Sequence, residues 1–129
     1  MTPHVMTVRG PIDPDDLGTT LMHEHLFIDL SHLWDPPMSE WQKPLVDAEL
    51  TLATRGLLTV DSYVSRTNLV LDDLDAAVEE LALYRGLGGG AAVELTTTGI
   101  RPQPGRLREA SERSGVHVVA GCGWYTASA

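Results

Sequence analysis

Basic side chains are scarce in this chain: nine lysines and arginines stand against 18 aspartates and glutamates, a formal net charge of −9. A nucleic-acid partner or an anionic membrane surface would need a basic patch, so neither is expected. Cysteine is nearly absent. Cys122 alone cannot close an intrachain disulfide, so the fold has to stand without covalent staples and nothing calls for an oxidising compartment. The expected setting is cytoplasmic. Long apolar runs are missing as well, every one falling far short of the ~20 residues of a membrane helix. Pro3, His4 and Arg9 break up the apolar residues near the N-terminus, unlike a secretory leader. A soluble protein is therefore expected. What is present is ordinary globular material: 43% hydrophobic and 21% charged residues in a chain of 129, sufficient for the core of one small domain.

Thr7–Gly10 reads as a short strand of an N-terminal β-hairpin, and Pro11–Gly18 carries the proline, aspartate and glycine of a turn. Thr19–Leu30 reads as a buried strand, Ser31–Pro44 as a long loop with room for one helical turn, and Leu45–Leu58 as a helix. Asp72–Arg85 is the clearest helix. Leu74, Ala77, Val78, Leu81 and Tyr84 follow helical spacing, Asp72 is placed to cap it, and Gly86 with the Gly88–Gly90 run is placed to stop it. Ala91–Leu95 follows as a strand, Arg106–Ser114 as a helix ended by Gly115, and Val116–Ala120 as a strand leading into the turn Gly121–Tyr125. Strands and helices in that order are what right-handed βαβ units produce, so a parallel sheet is expected. Three such strands make only part of a closed barrel.

The feature that points to chemistry is His23-Glu24-His25 inside a strand. Alternation puts both imidazoles on one face, with Cβ atoms about 7 Å apart from two rises of ~3.3 Å, and Glu24 on the other. Spacing alone leaves two readings. The pair can ligate one metal ion, or one histidine can be a satisfied core residue while the other faces solvent; a zinc site needs three or four ligands.

The run Leu17-Gly18-Thr19-Thr20-Leu21-Met22-His23-Glu24-His25-Leu26-Phe27 resembles the first barrel strand of the phosphotriesterase family, metal-dependent hydrolases of the amidohydrolase superfamily. The resemblance continues through Asp29, Asn68, the Ala76–Leu81 helix, Val93–Gly99 and Gly115–Tyr125, nearly the whole chain and in the family's order. It implies an α/β fold: a partial (β/α)8 TIM barrel, its first three parallel strands with their helices, preceded by the short N-terminal β-hairpin, with residues 1–129 as the N-terminal part of one domain. It also implies a divalent metal centre, most often zinc, at the C-terminal mouth of the strands. His23 and His25 take the family's strand-one ligand positions, and Trp124 and Tyr125 those that border the substrate pocket. The implied activity is hydrolysis of lactones, carboxylic esters or organophosphate triesters by metal-activated hydroxide.

A complete barrel takes roughly 250 residues, so the family's other ligands have no counterparts in this chain. These are a carboxylated lysine on strand four, histidines on strands five and six, and an aspartate on strand eight. Lys43, the single lysine, lies in a proline-rich loop and cannot substitute. The isolated chain is expected to bind metal weakly and to lack substantial catalysis. The alternative is a non-catalytic truncated or split product that folds only with a complementary chain or does not fold stably at all. Beyond a small-molecule ester or lactone substrate, the expected partner is a complementary chain or a second copy in a homo-oligomer. A third reading, a small metal-binding protein, needs a further ligand from Asp29, His32 or Glu94. Glu94 stands where the family commonly has aspartate and is left without a role. Gly88–Gly90 precedes a strand and so is not a phosphate cradle. Cys122 reads as a buried structural cysteine rather than a nucleophile served by His117, and His117 as packed between strand and helix. Trp34 and Trp41 read as packing beneath the rim.

Overall fold

A computed structural model describes residues 3–126. The chain opens with the antiparallel hairpin β1 (Val5–Thr7) and β2 (Gly10–Ile12). Of the expected strand Thr7–Gly10, Thr7 and Gly10 are the paired ends of β1 and β2 and only Val8 and Arg9 form the turn between them. Thr7 Oγ1 donates to the Gly10 carbonyl and accepts from the Arg9 amide, and Gly10 takes a φ of +118° that favours glycine.

Three parallel strands form the central sheet in the order β3 (Thr19–Glu24), β6 (Gly89–Glu94), β7 (His117–Ala120). Between the first two lie α1 (Leu52–Leu58), α2 (Leu74–Gly86) and a small antiparallel pair, β4 (Ile28–Asp29) with β5 (Val70–Leu71). Between the last two lies α3 (Pro104–Ser114). Helices α2 and α3 pack side by side on the sheet. Two contiguous clusters, Phe27 with Ala77, Leu107 and Val118, and Leu81 with Ala92, Ala110 and Val116, form the core between them. This is the expected partial barrel, and no closed barrel forms among the described residues.

Several local expectations are corrected. β3 is not buried: Leu21, Met22 and His23 are exposed, because among the described residues the strand has a neighbour on one side only. It also stops at Glu24, where a bend replaces the extended run. The expected helix at Leu45–Leu58 breaks into a 3-10 turn at Lys43–Leu45 and the short α1, since Thr51 and Thr54 form a capping box that starts a new helix. Leu45, Leu58 and Val64 bury against one another there in a satellite cluster. The cap of α2 is Asp73, whose side chain accepts from the Ala76 amide. Asp72 instead binds Arg106 and Gln103 at the start of α3. Of the Gly88–Gly90 run, only Gly88 lies outside regular structure, with a φ of +94°, whereas Gly89 and Gly90 belong to β6. No helix among the described residues is long and apolar enough to cross a membrane.

Candidate metal centre at the C-terminal edge of the sheet

Parallel strands aim their C-terminal ends at one edge, so β3, β6 and β7 deliver the residues after Glu24, Glu94 and Ala120 to the same rim. Register shows how the first of these is shaped. Leu21 pairs with Ala92 and Glu24 with Glu94, so three steps along β3 match two along β6. The extra residue is a bulge at Met22–His23, a device that re-aims side chains at sheet ends. Across it the His23 and His25 rings come to 5.5 Å centroid to centroid, edge to face at 69°. The expected pairing of the two imidazoles is thus present in space, although the strand supporting it is irregular.

Beneath the pair lies a polar knot. His25 is half-buried, and its Nδ1 lies 2.9 Å from Thr96 Oγ1. That hydroxyl also reaches the Phe27 carbonyl at 2.8 Å and Glu94 Oε1 at 2.5 Å, while the Thr96 amide donates to Glu94 Oε2 at 3.1 Å. Glu94 is 1% exposed and Thr96 2%. A buried carboxylate is costly unless hydrogen-bonded, and Thr96 supplies two bonds to it. Sequence reasoning left Glu94 without a role and missed Thr96. The available signal was a hydroxyl two residues beyond a carboxylate, a spacing at which the side chain can bond nearby backbone.

The other expected site residues lie along the same rim. A bridge joins Thr98 to Trp124, with the Thr98 amide donating to the Gly123 carbonyl and the Tyr125 amide to the Thr98 carbonyl. Trp124 is 85% exposed, and the Tyr125 ring sits edge-on to His32 at 6.3 Å. The loop after β4 and the turn after β7 therefore meet there. Cys122 is exposed, not buried, because its glycine-flanked turn carries it past the end of the core. His117 is half-buried, with Arg9 Nη2 at 2.9 Å from its Nδ1. Burial, then Arg9 and Arg85, push its pKa below the usual imidazole value. Trp34 is half-buried and donates Nε1–H to the Val64 carbonyl, whereas Trp41 is exposed.

The three candidate extra ligands each have other neighbours. Hydrogen bonds from Ser31, then Arg101 nearby, hold the Asp29 carboxyl below its ordinary range. Glu94 is tied to Thr96, and His32 faces Tyr125. Among the described residues no group of three or more histidine, cysteine, aspartate or glutamate side chains converges. The donor set that does converge, two imidazoles, suits a borderline divalent ion as half of a tetrahedral shell.

A profile of the phosphotriesterase family matches residues 3–129. The chain belongs to that family. Over 122 residues it is 41% identical to the N-acetyltaurine hydrolase of Tetraodon nigroviridis, covering 94% of this chain and 35% of that protein. A resiniferatoxin-binding protein from Rhodobacter sphaeroides superposes with a TM-score of 0.94 at 41% identity, over 97% of this chain and 35% of the other. The phosphotriesterase from Mycobacterium tuberculosis gives a TM-score of 0.59 at 26% identity, over 96% of this chain and 30% of that one. The chain thus spans about a third of the length of these relatives.

Proposed function

We propose that the chain forms the N-terminal part of a metal-dependent phosphotriesterase-family hydrolase, with His23 and His25 as two ligands of a divalent ion, zinc foremost. The observation that carries this is the juxtaposition of two imidazoles at the C-terminal edge of a parallel sheet, the edge where barrel enzymes place their chemistry. When bound, such an ion supplies Lewis acidity toward a carbonyl or phosphoryl oxygen and brings the pKa of a water to about 7.

The chain's own contribution is to hold and orient. His23 and His25 present neutral nitrogen donors, which leave the cation's charge uncancelled. Trp124 and Tyr125 border the substrate, and the contact between Tyr125 and His32 links two rim loops around it. The substrate is a small molecule with an ester-type bond: a lactone, a carboxylic ester or an organophosphate triester. The relative named for N-acetyltaurine hydrolysis adds an acyl–nitrogen bond to that range. The acidic balance speaks against nucleic acid and anionic membranes as partners, and the lone cysteine suits a cytoplasmic setting. Because two imidazoles are the donors that converge among the described residues, the described site by itself should hold metal weakly and support little turnover.

Dialysis against zinc or cobalt followed by elemental analysis tests the reading. The chain should retain metal above a His23→Ala, His25→Ala double variant, and equal metal content in the two would remove its basis.

A further inference from the structure

We infer that Thr96, backed by Glu94, is a positioning residue that fixes His25 in the tautomer whose Nε2 is free to bind metal. The inference deepens the proposed metal site and rests on it. It follows from counting protons. The Thr96 hydroxyl has one hydrogen and can accept through its lone pairs. That single hydrogen is claimed by one or the other of two oxygens, the Phe27 carbonyl, which can only accept, or Glu94 Oε1, and so is not available to His25. What Thr96 turns toward His25 is therefore a lone pair. At 2.9 Å the His25 Nδ1 has to be the donor, so the ring proton resides on Nδ1 and Nε2 carries the unshared pair.

Glu94 keeps the arrangement in register. Its Oε2 accepts from the Thr96 amide while Oε1 meets the hydroxyl of the same residue, so backbone and side chain are clamped together. With Glu94 and Thr96 both buried, water has little access to reverse the polarity of the chain. A carboxylate, a hydroxyl and an imidazole in sequence form the outer-shell support that metal-binding histidines commonly have, where losing a member costs about 10–100-fold in metal affinity.

The decisive measurement needs no metal. A two-bond proton–nitrogen correlation spectrum of the uniformly labelled full chain is recorded at about pH 8.5, some two units above the ordinary imidazole value. It should show His25 with Nδ1 of the protonated type and Nε2 of the unprotonated type, the assignment coming from the signal lost in His25→Gln. The reverse pattern in the unmodified chain overturns the inference whether or not any variant folds. Thr96→Val should move His25 toward the Nε2–H form that free imidazole side chains prefer, and Thr96→Ser should restore the original pattern. A folded Thr96→Val chain with an unchanged spectrum also overturns it. Cobalt titration followed by visible absorption then separates the two claims. Thr96→Val should weaken binding about tenfold and Thr96→Ser should not. If the unmodified chain binds cobalt no better than the His23→Ala, His25→Ala variant, the metal reading fails, while the nitrogen spectrum still decides the tautomer.

Discussion

Glycine 90 shows how much a single position can demand. A Cβ built there would run into the Leu17 carbonyl oxygen and crowd Gly18, whose own φ is +62°. At Gly89 a Cβ would enter the ring of Tyr84, which lies across the strand and donates its hydroxyl to the Thr19 carbonyl at 2.7 Å. The first obstacle is backbone and cannot swing away. Gly90→Ala should therefore destabilise the chain by about 2–3 kcal/mol, read as a lower denaturation midpoint in urea; an unchanged midpoint would mean that the Leu17–Gly18 turn is free to move. The glycine run was legible in sequence as a break after a helix, but only Gly88 serves that purpose. The requirement at Gly89 and Gly90 comes from residues as far away as Leu17, which no local pattern reveals. His117 carries a second prediction at this scale. Its folded-state pKa is depressed, by burial first and by Arg9 and Arg85 next, with Asp16 opposing. The unfolded chain therefore takes up the proton more readily. Stability from this group is fully present above about pH 6.5, the unfolded value, and is lost as pH falls from there through the folded value. In His117→Gln this part of the loss disappears, so the thermal midpoint should fall less between pH 7.5 and 5.5, about one unit either side of the free imidazole.

Among the elements, α2 was the easiest to foresee because its apolar spacing holds over three turns, and α3 because Gly115 ends it in the left-handed conformation, φ +76°. The choice between Asp72 and Asp73 as cap was not legible. Adjacent aspartates satisfy the same local rule, and the decision came from α3, where Arg106 and Gln103 claim Asp72. This yields a contrast between neighbours. Asp73→Ala removes the bond to the Ala76 amide and should cost about 1 kcal/mol. Asp72→Ala, losing a partly exposed ion pair, should cost under about 1 kcal/mol and lose part of that in high salt. Urea titrations of both variants at low and high salt check the ordering. The two-residue strand β5 and its antiparallel pairing with β4, which lay within the single strand expected over Thr19–Leu30, went unforeseen for a different reason: Ile28 and Leu71 pair across more than forty positions, and such short pieces have no period to detect. The histidine pair was legible because its two members are near neighbours in sequence. The Thr96 support was not, since it lies 71 residues from His25.

For the molecule as a whole, the sheet presents an edge that its own described residues do not cover. β3 pairs with β6 alone, so one row of its amides and carbonyls has no ladder partner there, and Leu21 and Met22 are 39% and 68% exposed beside it. Bare edges of this kind recruit further strands, from a complementary chain or a second copy. Opposing that is the net charge of −9 on every copy, which repels at long range. The two influences respond differently to salt. Screening shortens electrostatic reach from about 30 Å at 0.01 M to about 3 Å at 1 M and leaves strand pairing and apolar burial largely intact. Self-association in sedimentation velocity should therefore grow with both concentration and salt. Met22→Lys, which puts a charge on the edge, should suppress that growth even though it lowers the net negative charge and so, on electrostatic grounds alone, would promote association. A chain that stays monomeric in 1 M salt at about 100 μM, a concentration at which exposed strand edges ordinarily associate, would show that β3 is protected in solution and that no second strand is drawn to it.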